Sequence, residues 1–291
     1  MRIEDRHVGV VGVGLIGGSI AAALRKGDRN LAISGWDRDE DALGSALARG
    51  ILTKAAASLR ALVSEVDLLI LALPIRHLVP VSRDALPFAG EGLRAVLDVA
   101  SVRAGVGQDL ADIWGPRHLG FHPMAGTEKG GIGNASEDLF RGAVVAIVPS
   151  HQTSEEVKAL GMRLASAIGA RPLKMGPGEH DEITACVSHL PMLVASALSL
   201  VAGERMKALP GLPSLAAGGF RDTTRVASGP SWLVSDVWAR NGKAIGEVLR
   251  RLVEVLQAMD EATPGEMERF AKKAGAARKA VLAGASRRCR V

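Results

Sequence analysis

Short apolar runs alternate with stretches of helical periodicity over the first part of the chain. The apolar runs predict strands at residues 7–13, 31–36, 67–73, 94–99, 119–121, 143–148 and 171–173. Helical stretches, including residues 39–49 and 154–168, separate several of these runs. Strands that are apolar throughout need cover on both sides, so this pattern is typical of a parallel sheet between two layers of helices.

The pattern changes after the sequence MGPG at residues 175–178. No strand-like alternation follows, and helical periodicity covers residues 179–201, 215–227, 232–259 and 264–282. Clusters of glycine and proline often mark domain boundaries. The sequence therefore predicts an α/β domain with a doubly wound parallel sheet over residues 1–171, followed by an all-helical domain over residues 172–291.

Three glycines, Gly12, Gly14 and Gly17, stand between the first predicted strand and a helical stretch. A GxGxxG spacing alone is weak evidence, and a purely structural turn is the alternative. Here an acidic residue, Asp37, follows at the end of the second predicted strand. The strand, turn, helix and acidic residue together are typical of a Rossmann-type dinucleotide site.

Each part of this motif has a physical role in cofactor binding. The glycines permit a tight turn, close approach of the pyrophosphate and close packing of helix on strand, and the helix N-terminus attracts the phosphates. Asp37 would bind the ribose hydroxyls and favours NAD, whereas the neighbouring Arg38 keeps NADP possible. The cofactor-binding candidates from this motif are Gly12, Gly14, Leu15, Ile16, Gly17, Asp37 and Arg38.

Three further candidates follow predicted strands. Pro74 and Ser101 are further cofactor-binding candidates, and Pro74 would border the cofactor. Ser101 follows the strand at 94–99, and His122 follows the strand at 119–121. Because ligands of doubly wound sheets bind at the carboxyl ends of the strands, Ser101 and His122 should converge near the nicotinamide. Histidine can accept a proton from a substrate hydroxyl, and the alternative for Ser101 is a helix N-cap.

The glycine-rich stretch FHPMAGTEKGGIG at residues 121–133 surrounds His122. Pro123 lacks a ladder donor and the glycines weaken any regular element, so the whole stretch is expected to be a loop. Its polar side chains suggest a functional loop, and a flexible connector with an incidental histidine is the alternative. Lys129 would give it a basic rim, and Thr127 is a candidate substrate contact.

Composition narrows the class of protein. The chain has 291 residues, 47% of them hydrophobic, with a formal net charge of +5 and only two cysteines, Cys186 and Cys289. The cysteine count suits a reducing compartment. By the sequence pattern, no apolar run is expected to reach the ~20 residues that a membrane span needs, and no leader peptide is evident, so a cytoplasmic protein is expected. The basic C-terminal tail could bind nucleic acid, but a solvated helix face is favoured.

Five segments together resemble the prephenate/arogenate (cyclohexadienyl) dehydrogenases of tyrosine biosynthesis. They are VGVGLIGGS at 11–19, DVASVRAGV at 98–106, HPMAGTEKGG at 122–131, SHLP at 188–191 and GGFRDTTRVASG at 218–229. The resemblance covers essentially the whole chain. It implies oxidative decarboxylation of a small anionic cyclohexadienyl substrate, with hydride transfer to NAD(P)⁺ and no metal.

The resemblance also implies roles for individual residues. His122 matches the catalytic histidine, and Ser101 matches the serine that bonds the substrate hydroxyl and that histidine. Arg225 matches the arginine that binds a substrate carboxylate, with Arg221 four residues before it; from charge spacing alone, an ion pair with Asp222 or another nearby acid is the alternative.

The SHLP segment contains one match and one departure. His189 lies near the active site in the family, although a lone helical histidine is usually a core or interface residue. Pro191 should kink or break that helix. Met192 stands where many relatives have a second histidine, which leaves open whether prephenate or arogenate is preferred and weakens the expectation of tyrosine feedback.

The family resemblance further implies a homodimer formed through the helical domain. Two alternatives remain at this point: a dehydrogenase of a prephenate analogue such as 4-amino-4-deoxyprephenate, and a non-catalytic NAD-sensing protein. The combined presence of Ser101, His122 and Arg225 disfavours the second.

Overall fold

The computed structural model describes residues 7–287, and the side chains of residues 7–283. Eight strands form one sheet: β1 (His7–Val11), β2 (Ala32–Trp36), β3 (Lys54–Ala55), β4 (Leu68–Leu71), β5 (Ala95–Asp98), β6 (His118–Pro123), β7 (Val144–Val148) and β8 (Arg171–Lys174). Their spatial order is β3-β2-β1-β4-β5-β6-β7-β8. Every residue of β4, β5 and β6 is buried, which agrees with the apolar runs in the sequence.

Six helices connect these strands: α1 (Leu15–Gly27), α2 (Glu40–Ala48), α3 (Leu59–Glu65), α4 (Ile75–Ala85), α5 (Val106–Trp114) and α6 (Glu155–Ala167). Side-chain oxygens cap three of them, since Asp39, Ser58 and Ser154 accept from the backbone N–H three residues later. The sequence pattern missed β3, α3, α4 and α5. Strand β3 has only two residues, too few to show a period.

Strands β1 to β6 are parallel, in the order 3-2-1-4-5-6 that is typical of dinucleotide-binding domains. The strand order reverses between β1 and β4, and ligands of such sheets bind in the crevice beyond the strand ends at this point. The predicted Rossmann-type sheet is therefore confirmed. It is not wholly parallel, however, because β7 runs antiparallel to β6.

The expectation that residues 121–133 form only a loop was wrong at its start. Phe121, His122 and Pro123 are the last residues of β6 and are buried. Met124 N donates to Val144 O of β7 at 2.7 Å, so the nitrogen of the preceding residue points to the opposite side. On that side the pairing with β5 has already ended at Gly120. Pro123 therefore has no partner strand to which a backbone N–H would have to donate.

A charged cluster is buried beneath the end of β5. Asp98 accepts from Arg103 Nη1 at 2.9 Å, from Arg103 Nη2, and from His118 Nε2 at 2.9 Å. These side chains are at most 2% exposed. Burial alone would raise the pKa of Asp98, but the guanidinium and the imidazole hold it well below its usual range.

The second part of the chain is helical: α7 (Pro177–Thr184), a π-helical turn (Ala185–His189), α8 (Leu190–Arg205), α9 (Leu212–Leu215), α10 (Gly218–Thr224), α11 (Ser231–Asp260) and α12 (Pro264–Arg287). The π-helical turn ends two residues before Pro191, which agrees with the predicted irregularity. It buries His189 and leaves Cys186 exposed. Arg288, Cys289 and Arg290 of the basic tail lie outside the described residues.

Close contacts divide the chain into two compact units, residues 1–242 and 243–291. The first unit contains the sheet, α1 to α10 and the beginning of α11. The second contains the remainder of α11 and α12. The predicted domain boundary between residues 171 and 172 is a different division, at the start of β8, and it stays a prediction.

Gly120→Ala should destabilise the protein strongly. A Cβ at this position would lie 2.2 Å from Arg103 Nη1 and 2.9 Å from Val148 O. Because displacing Arg103 leaves a buried charge unpaired, we expect the free energy of unfolding to fall by about 3–5 kcal/mol, measured by urea denaturation. The control is Gly107→Ala in α5, where a Cβ meets open space and stability should be unchanged or slightly raised. Equal stabilities for the two variants would contradict the prediction.

Candidate functional site

The glycine turn between β1 and α1 requires glycine at two positions. Gly12 has a φ of +93°, and a Cβ there would lie 2.2 Å from Ala72 O. A Cβ on Gly17 would lie 2.1 Å from Gly12 O. At Gly14, by contrast, a Cβ would meet nothing within 4 Å. The first two glycines therefore shape the turn, whereas Gly14 borders open space that a ligand can approach.

The N-terminus of α1 suits an anion. Its N-cap is Gly14, which supplies no side-chain hydrogen bond, and the first turn contains no acidic residue. Backbone N–H groups at such a helix end lack partners within the helix and attract phosphate. Asp37 supports the same turn, because its Oδ2 accepts from Val13 N at 2.6 Å and its Oδ1 from Asp39 N at 3.0 Å.

A cavity of about 530 Å³ lies at this edge of the sheet. The predicted site residues that line it are Gly12, Gly14, Leu15, Ile16, Asp37, Arg38, Pro74, Ser101, His122 and Thr127. The structure thus brings the glycine turn together with both residues predicted to be catalytic. Sequence reasoning missed other lining residues, among them His77, Pro230, Trp232 and Leu233. Of the predicted site residues, Gly17, His189, Met192, Arg221 and Arg225 are not part of this lining in the described chain.

His122 lies near the end of β6 and is 8% exposed. Its Nδ1 is 2.9 Å from His180 Nε2, and His180 Nδ1 is 2.7 Å from Asp181 Oδ1. Burial first, and the nearby His180 second, hold the pKa of His122 well below its ordinary value. The imidazole of His122 is therefore uncharged at neutral pH and able to accept a proton.

His180 and Asp181 were missed by the sequence analysis. They lie in α7, and Asp181 accepts from Arg103 N at 2.8 Å and from Ala104 N at 2.7 Å. Asn241 Nδ2 donates to Asp181 O at 2.9 Å. The only sequence signal was a His-Asp pair in a polar helical stretch, and such pairs are commonly solvent-exposed.

Ser101 lies in the turn after β5 and faces the cavity. Its N-cap alternative was wrong, because α5 begins at Val106 with Gly105 as the N-cap. Within the described residues, Ser101 Oγ is buried and has no hydrogen-bond partner. A buried hydroxyl without a partner is costly, so a ligand in the cavity is a natural partner for it.

His189 is buried beside the backbone of Ser101. Its Nδ1 is 3.2 Å from Asn241 Nδ2, and in the described chain its Nε2 has no hydrogen-bond partner. Since the amide nitrogen donates, the Nδ1 of His189 accepts and the proton of the neutral ring is on Nε2. Burial lowers the pKa of His189 to about 4.

Arg225 follows α10 and forms an ion pair with an acid, which was the alternative to a substrate contact. The partner is Glu128, with 2.7 Å between Arg225 Nη1 and Glu128 Oε2. The Arg225 side chain is 55% exposed. Glu128 follows Thr127, whose Oγ1 donates to Lys129 O at 3.0 Å, so Arg225 contacts the same loop that lines the cavity. Arg221 is exposed and Met192 is half-buried on α8.

The loop after β6 is anchored again beyond its glycines. Arg49 donates from Nη1 to Ile132 O at 2.5 Å and from Nη2 to Ala135 O at 2.7 Å. Ser136 N donates to Ser19 Oγ of α1 at 3.0 Å. Residues 124–131 are therefore held at both ends, by the sheet and by this contact with α1 and α2.

Two family models match consecutive parts of the chain. Residues 20–173 match the prephenate dehydrogenase nucleotide-binding domain, and residues 176–273 match the prephenate dehydrogenase dimerization domain. The chain belongs to the prephenate dehydrogenase family. The predicted family and the predicted enzyme class, a dehydrogenase, are confirmed.

Relatives agree with this assignment over most of the chain. The chain is 31% identical over 255 residues to prephenate dehydrogenase of Bacillus subtilis, covering 87% of this chain and 68% of the relative. It is 30% identical over 257 residues to cyclohexadienyl dehydrogenase of Zymomonas mobilis, covering 87% of each.

Solved structures of the family have the same fold. A crystal structure of prephenate dehydrogenase from A. aeolicus, in complex with hydroxyphenyl propionate and NAD⁺, matches with a TM-score of 0.86 at 27% identity, over 97% of this chain and 100% of that one. Synechocystis arogenate dehydrogenase matches with a TM-score of 0.76 at 28% identity, over 94% and 99% of the two chains.

The stability of this dehydrogenase should fall as the pH is lowered, in part because of His189. The unfolded chain protonates this histidine near its ordinary pKa of about 6.5, while the folded protein resists protonation down to about pH 4. Between these values the unfolded state binds more protons. Lowering the pH from 7.5 to 5.0 should therefore cost about 2 kcal/mol of stability through His189.

Urea denaturation of the wild type and of His189→Leu at both pH values measures this contribution. The variant is expected to lose less stability than the wild type over the same interval. His151→Asn, which replaces an exposed histidine, serves as the control and should behave as the wild type does. An unchanged pH dependence in His189→Leu would contradict the assignment of His189 as a buried, neutral histidine.

Proposed function

We propose that this dehydrogenase catalyses the oxidative decarboxylation of prephenate to 4-hydroxyphenylpyruvate, of arogenate to tyrosine, or of both. Hydride leaves the ring carbon that bears the hydroxyl, the ring carboxylate departs as CO₂, and the ring becomes aromatic. The observation that carries the proposal is the single cavity that joins the glycine turn to Ser101 and His122. Relatives of the chain include a prephenate dehydrogenase, a cyclohexadienyl dehydrogenase and an arogenate dehydrogenase, which supports this choice of substrates.

The residues at the glycine turn fit a dinucleotide. The open space beside Gly14 and the uncapped N-terminus of α1 suit a pyrophosphate. Asp37 is placed to accept from ribose hydroxyls, and Pro74 would border the nicotinamide. NAD⁺ bound in this cavity would supply the hydride acceptor. The A. aeolicus relative was solved with NAD⁺, which supports the choice of cofactor.

Asp37 supports NAD rather than NADP. Its carboxylate already accepts two backbone hydrogen bonds, which hold the negative charge at the position where a 2′-phosphate would approach. The carboxylate of Asp37 and a 2′-phosphate bound beside it would carry like charges and would repel each other. Arg38 is exposed and also lines the cavity, and it could offset part of that repulsion, so use of NADP at lower efficiency remains part of the proposal.

His122 acts as the proton acceptor in this scheme. Its low pKa keeps the ring neutral at working pH, and it lines the cavity together with Ser101. As hydride leaves the ring carbon, positive character develops there, and transfer of the hydroxyl proton to the imidazole relieves it. The unpartnered hydroxyl of Ser101 can bond the same substrate oxygen and position it for that transfer.

Arg225 is proposed to bind a substrate carboxylate. Its present partner, Glu128, is a carboxylate on the loop that lines the cavity and contacts one guanidinium nitrogen, Nη1, at 2.7 Å. Arginine is well suited to bind carboxylates, so a substrate carboxylate could replace Glu128 as the partner. Both side chains are partly exposed, and ion pairs in contact with solvent are weak, so Arg225 can exchange Glu128 for another carboxylate. Arg221 and Thr127 remain candidate substrate contacts, as do His189 and Met192.

A homodimer through the helical part is proposed as the working form. The expectation that no apolar run is long enough to span a membrane was wrong for one helix, because Pro177–Arg205 is long and apolar enough by length and composition. Only 22% of its most apolar window is buried within the chain. A second copy could cover this surface, and the family model over residues 176–273 is named a dimerization domain. A cytoplasmic location, without membrane or nucleic-acid partners, stays a prediction.

The activity test measures formation of the reduced cofactor by the purified protein with prephenate, arogenate and 4-amino-4-deoxyprephenate, as NADH when NAD⁺ is supplied and as NADPH when NADP⁺ is supplied. We expect turnover with prephenate or arogenate and higher kcat/KM with NAD⁺. His122→Asn should retain NAD⁺ affinity but lower kcat by about 10²- to 10⁴-fold, because it removes the base. If the folded wild type oxidised neither prephenate nor arogenate, the proposed reaction would be rejected.

Arg225→Lys tests the carboxylate contact. Lysine keeps the charge but loses the planar fork of donors, so we expect KM for the oxidised substrate to rise by about tenfold, with NAD⁺ affinity unchanged. Arg83→Lys, at an exposed position of α4, is the matched control and should have wild-type kinetics. A KM equal to that of the wild type in Arg225→Lys would remove Arg225 from the substrate site.

A further inference from the structure

We propose that His180 is a positioning residue that fixes the tautomer of His122, so that the proton of the neutral His122 ring is on Nδ1 and its Nε2 is the free base. The inference rests on the proposed function, because it concerns the same proton transfer. It starts from the buried chain of contacts from His122 to His180 to Asp181. Each of these three side chains is at most 8% exposed.

Asp181 determines which atom donates in each hydrogen bond between these three side chains. Its Oδ1 accepts from Arg103 N at 2.8 Å and its Oδ2 from Ala104 N at 2.7 Å. An ionised carboxylate is an acceptor only. The nitrogen that lies 2.7 Å from Oδ1, His180 Nδ1, must therefore carry a proton and donate.

The proton positions on both imidazoles then follow in sequence. A neutral His180 with its proton on Nδ1 has a lone pair on Nε2, and this atom can only accept. His122 Nδ1, 2.9 Å away, must be the donor. The lone pair of neutral His122 is consequently on Nε2, the nitrogen that is left for the cavity lined by this residue.

The opposite arrangement would disable the base. If His180 were protonated on both nitrogens, it would donate to His122 Nδ1, and the proton of a neutral His122 would occupy Nε2. That nitrogen could then donate to a substrate hydroxyl but could not take its proton. The two arrangements differ in one observable, the position of the proton on His122.

The proposed arrangement also serves the transfer step. The O–H bond of the substrate breaks, a bond forms between that proton and His122 Nε2, and the ring becomes an imidazolium with protons on both nitrogens. Its Nδ1–H continues to donate to His180 Nε2. Asp181 polarises His180 in the same sense, so the chain stabilises the charge on His122 without moving another proton.

The chain of contacts also links separate parts of the site. His122 comes from β6, His180 and Asp181 come from α7, and the donors to Asp181 lie two and three residues after Ser101. Fixing the His122 ring through His180 therefore fixes it relative to the serine that shares the substrate oxygen in the proposed reaction. A positioning role predicts an effect on kcat rather than on binding.

The first experiment reads the tautomers directly in the free wild-type protein. Side-chain ¹H–¹⁵N spectra of protein labelled with ¹⁵N-histidine distinguish protonated from unprotonated ring nitrogens, and His122→Asn identifies the signals of His122. We expect a protonated Nδ1 and an unprotonated Nε2 at neutral pH. A protonated Nε2 on His122 in the neutral ring would overturn the inference, whatever the activity of the protein.

The second experiment compares three variants across a pH profile. His180→Phe fills the volume but offers no acceptor, and we expect kcat to fall roughly 100-fold, with KM and NAD⁺ affinity unchanged. His180→Gln offers an amide oxygen and should recover most of that loss. Thr184→Val is the control for local damage, because it removes a buried bond of 2.9 Å to the backbone of residue 180 while leaving both imidazoles in place, and it should retain wild-type kcat.

Wild-type kcat and pH profile in His180→Phe would refute the positioning role while leaving the proposed function intact. If His180→Phe does not fold, His180→Gln and the tautomer measurement decide: the inference requires His180→Gln to keep most of the wild-type kcat and Nδ1 of His122 to be protonated in the wild type. A large fall of kcat in both His180→Gln and Thr184→Val would indicate a merely structural role and refute the inference, as would a protonated Nε2 on His122. Absence of turnover in the wild type would instead refute the proposed function, and the tautomer of His122 would still be measured.

Discussion

The carboxylate of Asp98 is fully buried, and much of the site depends on how the protein neutralises it. The guanidinium of Arg103 folds back onto it from five residues further along the chain, and His118 contacts it from β6. A guanidinium held in this way fixes the turn between β5 and α5. That turn carries Ser101, and its backbone N–H groups at residues 103 and 104 hold Asp181 of α7. A buried ion pair adds little net stability compared with apolar packing. We therefore infer that the main role of this pair is to position the turn that carries Ser101 and binds Asp181.

Much of the α/β fold could be predicted because its strands are buried on both faces. Such strands appear in the sequence as uninterrupted apolar runs, and β1, β4 and β5 were found within two residues of their ends. The error at Pro123 had a different origin. Proline excludes a residue from a ladder only where its nitrogen faces a partner strand, and the sequence does not reveal that β5 ends before this point. The sequence likewise does not show that β7 runs antiparallel to β6, because an apolar run is the same for a parallel and for an antiparallel strand.

Some residues of the candidate site could likewise be predicted from the sequence, and others could not. The glycine turn, Asp37, Ser101 and His122 could be placed because strand ends gather at one edge of a parallel sheet. All of these residues except Gly17 line the cavity. Arg225 could be selected only through family resemblance, since charge spacing alone favoured an ion pair with an acid. His180 and Asp181 could not be found at all. Their significance comes from burial against β6 and against the turn after β5, which are distant in sequence.

The π-helical turn at Ala185–His189 acts as a phase shift within one continuous helical rod. A π-turn accommodates an additional residue relative to an α-helix, and successive α-helical residues are about 100° apart around the axis. Removal of one residue from this turn would leave α7 and α8 as regular helices of the same length. It would, however, rotate every side chain of α8 by roughly that angle relative to His180 and Asp181. The extra residue therefore sets the direction in which Met192 and the other α8 side chains point relative to α7, independently of the sequence of α8 itself.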